Sequence, residues 1–220
     1  MTTRFDNRDL RLDFIGSGAI ERNFSQAGQD LFVLSALDGK RNGVFLDLGC
    51  NEPIQINNTY LLESGFGWTG LSIDIDERFF ELFVFRKSKT LIADCTKLDW
   101  DHVIDLLGTA FVDYLSLDLE PPETTLACLK TIPFDRLEFS VITFEHDAYR
   151  SDLVRAPSRE IFEAKGYVRV CSDVRVNGYV FEDWYCNPRV VTADKIASLK
   201  SNGDEWEKVV FVDRMSKADS

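Results

Sequence analysis

Short apolar runs alternate with longer segments of helical periodicity along most of the chain, and this alternation predicts a parallel sheet covered by helices on both faces. The apolar runs are rich in β-branched and aromatic residues, as buried strands are. We expect strands at 43–48, 70–75, 90–94, 112–120, 139–146, 167–173 and 178–185. We expect helices at 26–37, 58–65, 77–87, 100–108, 122–130, 158–166 and 193–201, followed by a short apolar run at 208–212.

Residues typical of helix caps and tight turns lie at the ends of these elements and support the prediction. Ser25 is the expected N-cap of the first helix, and the pair Asn177-Gly178 predicts a hairpin between the last two strands. The sequence therefore predicts a single α/β domain with a doubly wound, Rossmann-like fold, in which a mostly parallel seven-stranded sheet ends in an antiparallel hairpin. The expected divisions are an N-terminal extension at 1–24, the domain at 25–190, and a C-terminal helix and tail at 191–220.

Composition and charge limit the class of protein. The 220 residues, 45% of them apolar, are enough for one well-formed core. A net charge of −12 argues against a nucleic-acid partner, because such partners bind through lysine and arginine. No apolar run is long enough to span a membrane, and the charged first residues do not resemble a secretion signal. The five cysteines contain no C-x-x-C pair, which favours a reducing, cytoplasmic setting without disulfides or thiolate-bound zinc.

Acidic residues stand at the ends of five successive predicted strands. Ligands of open parallel sheets bind beyond these ends, where the strand order reverses. A single aspartate there is also explained as the cap of the next helix, but five in succession favour a ligand site. The residues are Asp47, Asp74, Asp94, Asp118 with Glu120, and Glu145 with His146 and Asp147.

The turn after the first strand, in 45-FLDLGCNEP-53, does not fit a phosphate loop. It contains Gly49, but Asn51 and Pro53 stand where a dinucleotide loop continues its glycines. Asp74 follows Asp47 by 27 positions, against the about 20 expected in dinucleotide folds. Carboxylates without a lysine or arginine in the turn favour a cation with vicinal hydroxyls, and S-adenosylmethionine has a sulfonium, an ammonium and a ribose diol.

Several stretches in this order resemble the FkbM-type methyltransferase family of the class I S-adenosylmethionine-dependent methyltransferases. The resemblance covers about residues 25 to 188. It implies the Rossmann-like methyltransferase fold and S-adenosylmethionine as cofactor. The stretches are 25-SQAGQDLFV-33, 46-LDLGCNEP-53, 57-NNTYLLE-63, 67-GWTGLSIDID-76, 113-DYLSLDLEPPE-123 and 142-ITFEHD-147.

The resemblance also implies roles for single residues. The acid at the end of the second strand, Asp74, is expected to bind both ribose hydroxyls, and Asp94 with the backbone of Cys95 is expected to meet the adenine. Asp118 is expected to face the transferred methyl group. The complete set of expected cofactor contacts is Gln29, Asp47, Gly49, Asn51, Asp74, Asp94 and Cys95.

Methyl transfer to a hydroxyl requires removal of a proton, and two arrangements are available. In one, His146 is the base, oriented by Glu145, with Asp118 as a further catalytic residue; His146 is otherwise a surface histidine paired with neighbouring acids. In the other, Asp118 and Glu120, with Glu145, His146 or Asp147 from the adjacent strand, bind Mg²⁺ or Mn²⁺, and the ion lowers the pKa of the attacked hydroxyl; the expected ligands are Asp118, Glu145 and His146. His102, on an amphipathic helix, is interpreted as a solvated residue.

The hairpin is expected to contribute to the substrate site. Aromatic side chains beside carboxylates suit a sugar ring, although Trp184 fits the protein core equally well. The expected substrate contacts are Glu120, Asp147, Asp173 and Trp184.

Three functions follow from these observations. The first is an O-methyltransferase that acts on a sugar, a glycan or another polyhydroxylated small molecule. The second is an NAD(P)-dependent sugar oxidoreductase, which shares the sheet and Asp74 but needs a glycine loop and a Tyr-x-x-x-Lys pair that the chain lacks. The third is a cofactor-binding module without turnover.

Overall fold

The computed structural model describes residues 10–212, and in this part of the chain one sheet of eight strands forms the centre of the molecule. The strand order across the sheet is β3-β2-β1-β4-β5-β7-β6-β8. The strands are β1 (Val44–Leu48), β2 (Thr69–Asp74), β3 (Lys89–Ile92), β4 (Phe111–Leu117), β5 (Glu138–Glu145), β6 (Val168–Val176), β7 (Tyr179–Cys186) and β8 (Ser201–Asn202).

Helices connect the strands and cover the sheet. Two 3-10 segments, Glu77–Phe85 and Cys95–Lys97, precede and follow β3. The described α-helices are α1 (Gln29–Ala36), α2 (Tyr60–Phe66), α3 (Trp100–Leu107), α4 (Pro122–Leu129), α5 (Arg155–Ala164), α6 (Ala193–Leu199) and α7 (Trp206–Val210). Within residues 10–212, no helix combines the length and the apolar character needed to cross a bilayer.

The first five strands are parallel, and β1 lies at the point where their order reverses. β1 pairs with β2 on one side and β4 on the other, so that Asp47 lies opposite both Ser72 and Ser116. β4 and β5 are buried along nearly their whole length, as expected for strands covered on both faces. The carboxyl ends of β1 and β4 consequently frame the crevice in which ligands of such sheets bind.

The last three strands confirm the predicted hairpin and correct the strand count. Asn177 and Gly178 both have positive φ, 52° and 83°, the backbone of a two-residue hairpin turn, and β7 runs antiparallel to β5 and β6. The doubly wound fold predicted from the sequence is confirmed, but the sheet has eight strands rather than seven. β8 pairs parallel with β6. β8 was not predicted because its two residues are too few to show a hydrophobic pattern.

The two faces of the sheet carry separate hydrophobic clusters. One includes Phe32 and Trp184, whose ring centroids are 4.5 Å apart, and the other includes Phe144 and Phe162. Residues on both sides of the predicted domain limits pack into the first cluster. These are Leu10, Phe14 and Phe24 before α1, and Ile196, Trp206 and Val210 near the end of the described chain.

Several element predictions differ from the structure in detail. Gly28, not Ser25, directly precedes α1; the Ser25 hydroxyl instead donates a hydrogen bond to Asp30 within this helix (2.5 Å). The predicted helix at 77–87 is a 3-10 segment, and the predicted strand at 112–120 already ends at Leu117. The apolar run at 208–212 lies mostly in α7, because Val209 and Val210 share its buried face with Trp206.

Candidate functional site

A cavity of about 700 Å³ opens at the carboxyl ends of β1, β2, β3 and β4. Six of its lining residues are acidic, and one, Arg78, is basic. Arg78 already donates to the Asp76 carboxylate, so no unpaired cation faces the cavity from the described residues that line it. The acidic lining residues are Asp47, Asp74, Asp76, Asp94, Asp118 and Glu120.

The turn after β1 passes so close to β4 that only glycine fits at position 49. Gly49 has a φ of +85°, and a Cβ built on it would lie 1.7 Å from the backbone oxygen of Asp118. The Gly49 N–H donates to the carbonyl of Ile73 (2.9 Å), which ties the turn to β2 as well. The turn therefore forms a thin backbone wall of the cavity.

The carboxylate of Asp74 links the turns that follow β1 and β2. Its Oδ2 accepts the backbone N–H of Asn51, and its Oδ1 accepts that of Asp76, each at 2.9 Å. Each oxygen retains a further lone pair for a hydroxyl donor. Asp74 lies on the cavity wall with this capacity to accept hydrogen bonds from a ligand.

Asp47 is almost fully buried beneath the cavity. It accepts a hydrogen bond from the Thr59 hydroxyl (3.0 Å). Burial raises the pKa of Asp47 to about 6, although hydrogen bonds from Ser116 and Thr59 oppose the shift. The carboxyl group of Asp47 is therefore mostly ionised at neutral pH.

The loop at 50–59 is held by residues that the sequence analysis missed. The Asn57 amide donates to the carbonyls of Cys50 (3.2 Å) and Glu52 (2.8 Å), and its oxygen accepts the N–H of Tyr60 (2.8 Å). The buried Arg86 donates to the carbonyl of Pro53 (2.7 Å). Nothing in the sequence indicates that Asn57, in a loop, and Arg86, at the end of a helical segment, come into contact.

Arg86 in turn is paired with a buried acid. Its Nε lies 3.1 Å from Glu63, and both side chains are at least 95% buried. Glu63 also accepts the backbone N–H groups of Lys87 (2.8 Å) and Ser88 (3.1 Å). The pair fixes the loop wall of the cavity to α2.

Asp94 and Cys95 lie where β3 gives way to the next 3-10 segment. Asp94 accepts hydrogen bonds from Lys97 and Thr96, and these contacts, that of Lys97 above all, lower the pKa of Asp94 to about 2. Burial raises the pKa of the thiols of Cys50 and Cys95 far above the usual value, so neither is a thiolate nucleophile at neutral pH.

Two carboxyl groups meet where β4 and β5 end. Asp118 lines the cavity, and its carboxyl is hydrogen-bonded to that of Glu145, the last residue of β5. Burial, together with the charges of nearby acids, raises the pKa of Asp118 to about 7 and raises that of Glu145 well above its usual value. The two groups form a carboxyl pair at the edge of the cavity.

Glu145 is also part of a second acidic group. One carboxylate oxygen from each of Glu120, Glu145 and Asp147 can be chosen so that all three lie within 4.8 Å of one another. Arg150 forms ion pairs with Glu120 and with Asp147 Oδ2, the latter at 3.2 Å. The sequence prediction brought Glu145 and Asp118 together but did not include Arg150.

His146 faces away from these acids, so the predicted metal-binding set of Asp118, Glu145 and His146 is divided. Its Nε2 lies 3.5 Å from Asp183 and 3.9 Å from Asp173, and its Nδ1 accepts the N–H of Ala148 (3.3 Å). Successive residues of an extended chain point to opposite sides, and His146 follows Glu145 directly. His146 is fully buried and does not line the cavity.

The remaining predicted contacts divide between the cavity and the interior. Gln29 is buried and accepts the N–H of Ala27 (2.8 Å), whereas Gln26 lines the cavity. Trp184, a predicted substrate contact, is completely buried against Phe32, because β7 is an internal strand of the sheet. Two other predicted substrate contacts, Asp147 and Asp173, do not line the cavity. The predicted residues on its wall are Asp47, Gly49, Asn51, Asp74, Asp94, Cys95, Asp118 and Glu120.

Asp173 belongs to an arginine network. It accepts hydrogen bonds from Arg155 (3.1 Å) and Arg159 (2.7 Å), and Arg159 also binds Asp183 (2.7 Å). Although burial opposes ionisation, contacts from His146 and Arg159 hold the pKa of Asp183 well below its usual value. This network fastens the hairpin to α5.

No protein-family model and no curated protein matches the chain. Solved structures of remote similarity include an rRNA methylase from Streptococcus thermophilus, which is 14% identical over 72% of this chain and 93% of that one, with a TM-score of 0.44. A precorrin-6y C5,15-methyltransferase from Geobacter metallireducens GS-15 is 15% identical over 71% and 83% of the two chains, with a TM-score of 0.43. The METTL16 methyltransferase domain is 12% identical over 71% and 79%, with a TM-score of 0.41.

Similarity at this level assigns no substrate or activity to the chain. The fold and the cavity together define the class of protein: a doubly wound, Rossmann-like α/β protein with an acid-lined cleft at its topological switch point.

Proposed function

We propose that the chain is an S-adenosylmethionine-dependent O-methyltransferase whose acceptor is a hydroxyl of a sugar, a glycan or another polyhydroxylated small molecule. The observation that carries this proposal is the charge of the cavity: Asp47, Asp74 and Asp118 line it without an ion pair to any described residue, whereas the one lining arginine is already paired with Asp76. Such a wall attracts a sulfonium and an ammonium group and repels a diphosphate. The resemblance of the quoted stretches to the FkbM-type family adds support.

The residues on the wall fit the groups of this cofactor. Gly49 exposes backbone where a ligand can approach closely, and Asp74 has lone pairs for two vicinal ribose hydroxyls. Asp47 adds negative charge beneath the methionine end, and Asp94 with Cys95 borders the expected adenine position. When bound, S-adenosylmethionine supplies a methyl group activated by a positively charged sulfur.

The catalytic roles that we propose belong to the chain's own carboxyl groups. Asp118 is the predicted catalytic residue that lines the cavity, and Glu145 supports it through the hydrogen bond between their carboxyls. We propose that Asp118 accepts the proton of the acceptor hydroxyl while the cavity walls keep the reactants aligned. His146, the other base predicted from the sequence, is supported less well because it is fully buried outside the cavity.

Exposed aromatic rings near the acids support a sugar as acceptor. Tyr149 and Tyr179 are about half exposed, and their ring centroids are 5.1 Å apart. Tyr149 directly precedes Arg150, which is paired with the cavity residue Glu120. Flat rings beside hydrogen-bonding carboxylates suit a polyhydroxylated ring, whereas a net charge of −12 opposes a nucleic-acid acceptor. Five buried free thiols support a reducing, cytoplasmic setting.

Calorimetric titration tests the proposal against its two alternatives. We expect S-adenosylmethionine and its demethylated product to bind in the micromolar range, and NAD(P)H to give no binding heat. Absence of cofactor binding, or binding of NAD(P)H instead, would overturn the proposal. A screen with isotope-labelled cofactor against sugars and glycans then separates an enzyme from a binding module, because only an enzyme labels an acceptor.

A further inference from the structure

The acidic group of Glu120, Glu145 and Asp147 has the geometry of a small cation site. Glu145 ends β5, Asp147 follows two residues later, and Glu120 lies in the loop after β4. One oxygen from each carboxylate lies within 4.8 Å of the others. Hard carboxylate oxygens converging at this spacing are the ligands that Mg²⁺ and Mn²⁺ prefer.

Asp147 provides an independent indication that a ligand is missing from this group. The residue is 1% exposed, and its Oδ1 accepts no hydrogen bond from any N–H or alcohol group of residues 10–212; besides Arg150, its side chain contacts the carboxyl of Glu145, a member of the same group. The residue is held in place by its backbone, with a φ of 45° and an N–H bond to the Phe181 carbonyl (2.9 Å). A buried carboxylate oxygen without a donor is costly unless a cation completes it.

The charges around the group are also unbalanced. Arg150 pairs with Glu120 and with Oδ2 of Asp147, which leaves Oδ1 unfilled. Within the described part of the chain, no lysine, arginine or histidine forms an ion pair with Glu145. Three carboxyl groups therefore share one partly exposed arginine.

The other cluster of possible metal ligands, a second group that contains a histidine, has more positive charge around it. His146, Asp173 and Asp183 also come within 4.8 Å of one another, but Arg155 and Arg159 already bind the oxygens of both aspartates. The positive charge that a cation would supply is present there. The group beside the cavity is therefore the better candidate for a cation site.

We propose that Glu120, Glu145 and Asp147 bind a divalent cation, Mg²⁺ or Mn²⁺, at the edge of the cavity. This ligand set replaces the set with His146 predicted from the sequence, and the contact between Glu145 and Asp118 connects it to the cavity wall. The role of the cation rests on the proposed function: when bound beside Asp118, it would make the proton of the acceptor hydroxyl easier to remove. Binding of the cation itself does not depend on methyl transfer.

Mn²⁺ binding by the full chain, followed through loss of the electron paramagnetic resonance signal of free Mn²⁺, tests the site without any enzymatic assay. We expect one Mn²⁺ per chain, with affinity reduced at least about tenfold in Asp147→Asn and in Glu120→Gln. Glu120 is 62% exposed at its side chain, so Glu120→Gln tests the site even where the buried variant folds poorly. Asp173→Asn is the matched control from the second group and is expected to bind as the wild type does.

Two outcomes would overturn this site: no Mn²⁺ binding by the wild-type chain, or equal binding by Glu120→Gln. Loss of binding in Asp173→Asn, with far-ultraviolet circular dichroism unchanged, would move the site to the second group. S-Adenosylmethionine binding, measured separately without metal, distinguishes failure of this site from failure of the proposed function.

Discussion

The carboxylate of Asp74 accepts the backbone N–H of Asn51 at 2.9 Å, so the acid that ends β2 holds the turn that follows β1. Its other oxygen holds the turn of Asp76 in the same way. One side chain thereby fixes two loops that border the cavity and also faces the space between them. A change at Asp74 is consequently expected to alter both the loops and the cavity wall.

Asp74→Asn is expected to weaken S-adenosylmethionine binding about 10- to 100-fold. The amide keeps the size of the side chain but replaces one acceptor oxygen with a donor, and hydrogen bonds to charged groups contribute about 1.5–3 kcal/mol. Calorimetry measures the change. Asp101→Asn, at an exposed aspartate of α3, is the control and should bind normally; equal affinity of the two variants would remove Asp74 from the cofactor site.

Gly49→Ala is expected to destabilise the fold by more than about 4 kcal/mol, because the new Cβ would lie 1.7 Å from the Asp118 oxygen. Gly108→Ala is the matched control. Gly108 also has positive φ, +72°, but nothing lies within 4 Å of its added Cβ. Only the backbone penalty of about 1–2 kcal/mol is expected there. Urea unfolding measures the loss of unfolding free energy in both variants. Similar losses would show that a small backbone shift removes the clash with the Asp118 oxygen.

Arg86→Met is expected to cost about 3–5 kcal/mol of unfolding free energy, since it leaves the buried Glu63 without its cation. The double variant Arg86→Met with Glu63→Gln should recover part of this loss. Arg136→Met, which breaks the exposed pair with Asp101, is the control and should cost at most about 1 kcal/mol. Failure of the double variant to recover stability would assign the cost to lost packing and to the lost hydrogen bond to Pro53 rather than to the unpaired charge.

The stability of the cofactor-free chain is expected to carry a pH-dependent contribution from Asp47. Its pKa is raised from 3.8 to about 6 by burial, so the folded state holds the proton more tightly than the unfolded state. The contribution is complete below about pH 4 and is lost as pH rises to 6, with a slope of at most about 1.4 kcal/mol per pH unit. Asp47→Asn cannot titrate, so urea unfolding of wild type and variant should diverge across this window; a constant difference would contradict the shift.

Asp118→Asn is expected to lower the rate of methyl transfer at least about 100-fold while cofactor affinity is retained, because the amide cannot accept the hydroxyl proton. Single-turnover assays with labelled cofactor, once an acceptor is found, measure the rate. A comparable loss in His146→Gln at unchanged stability, with little loss in Asp118→Asn, would return the role of base to the histidine.

Local patterns were sufficient for much of this protein. The alternation of apolar runs and helical segments identified the parallel sheet, and Asn177-Gly178 identified the hairpin, because both depend on side chains close in sequence. The rule that ligands bind at the carboxyl ends of parallel strands correctly brought Asp47, Asp74 and Asp118 to one cavity.

The tertiary structure decided what depends on direction and on distant partners. Glu145 and His146 are neighbours in sequence, yet the end of β5 turns one toward the cavity acids and the other toward Asp183. Arg86 and Glu63 are 23 positions apart, and only folding shows that they form a buried pair. The sequence by itself determined which acids follow the strands, because each acid lies directly after its strand in the chain and strands are recognised from local patterns. Which of those acids face the cavity and which face an arginine was decided by packing, since that depends on the orientation of each side chain in the assembled sheet.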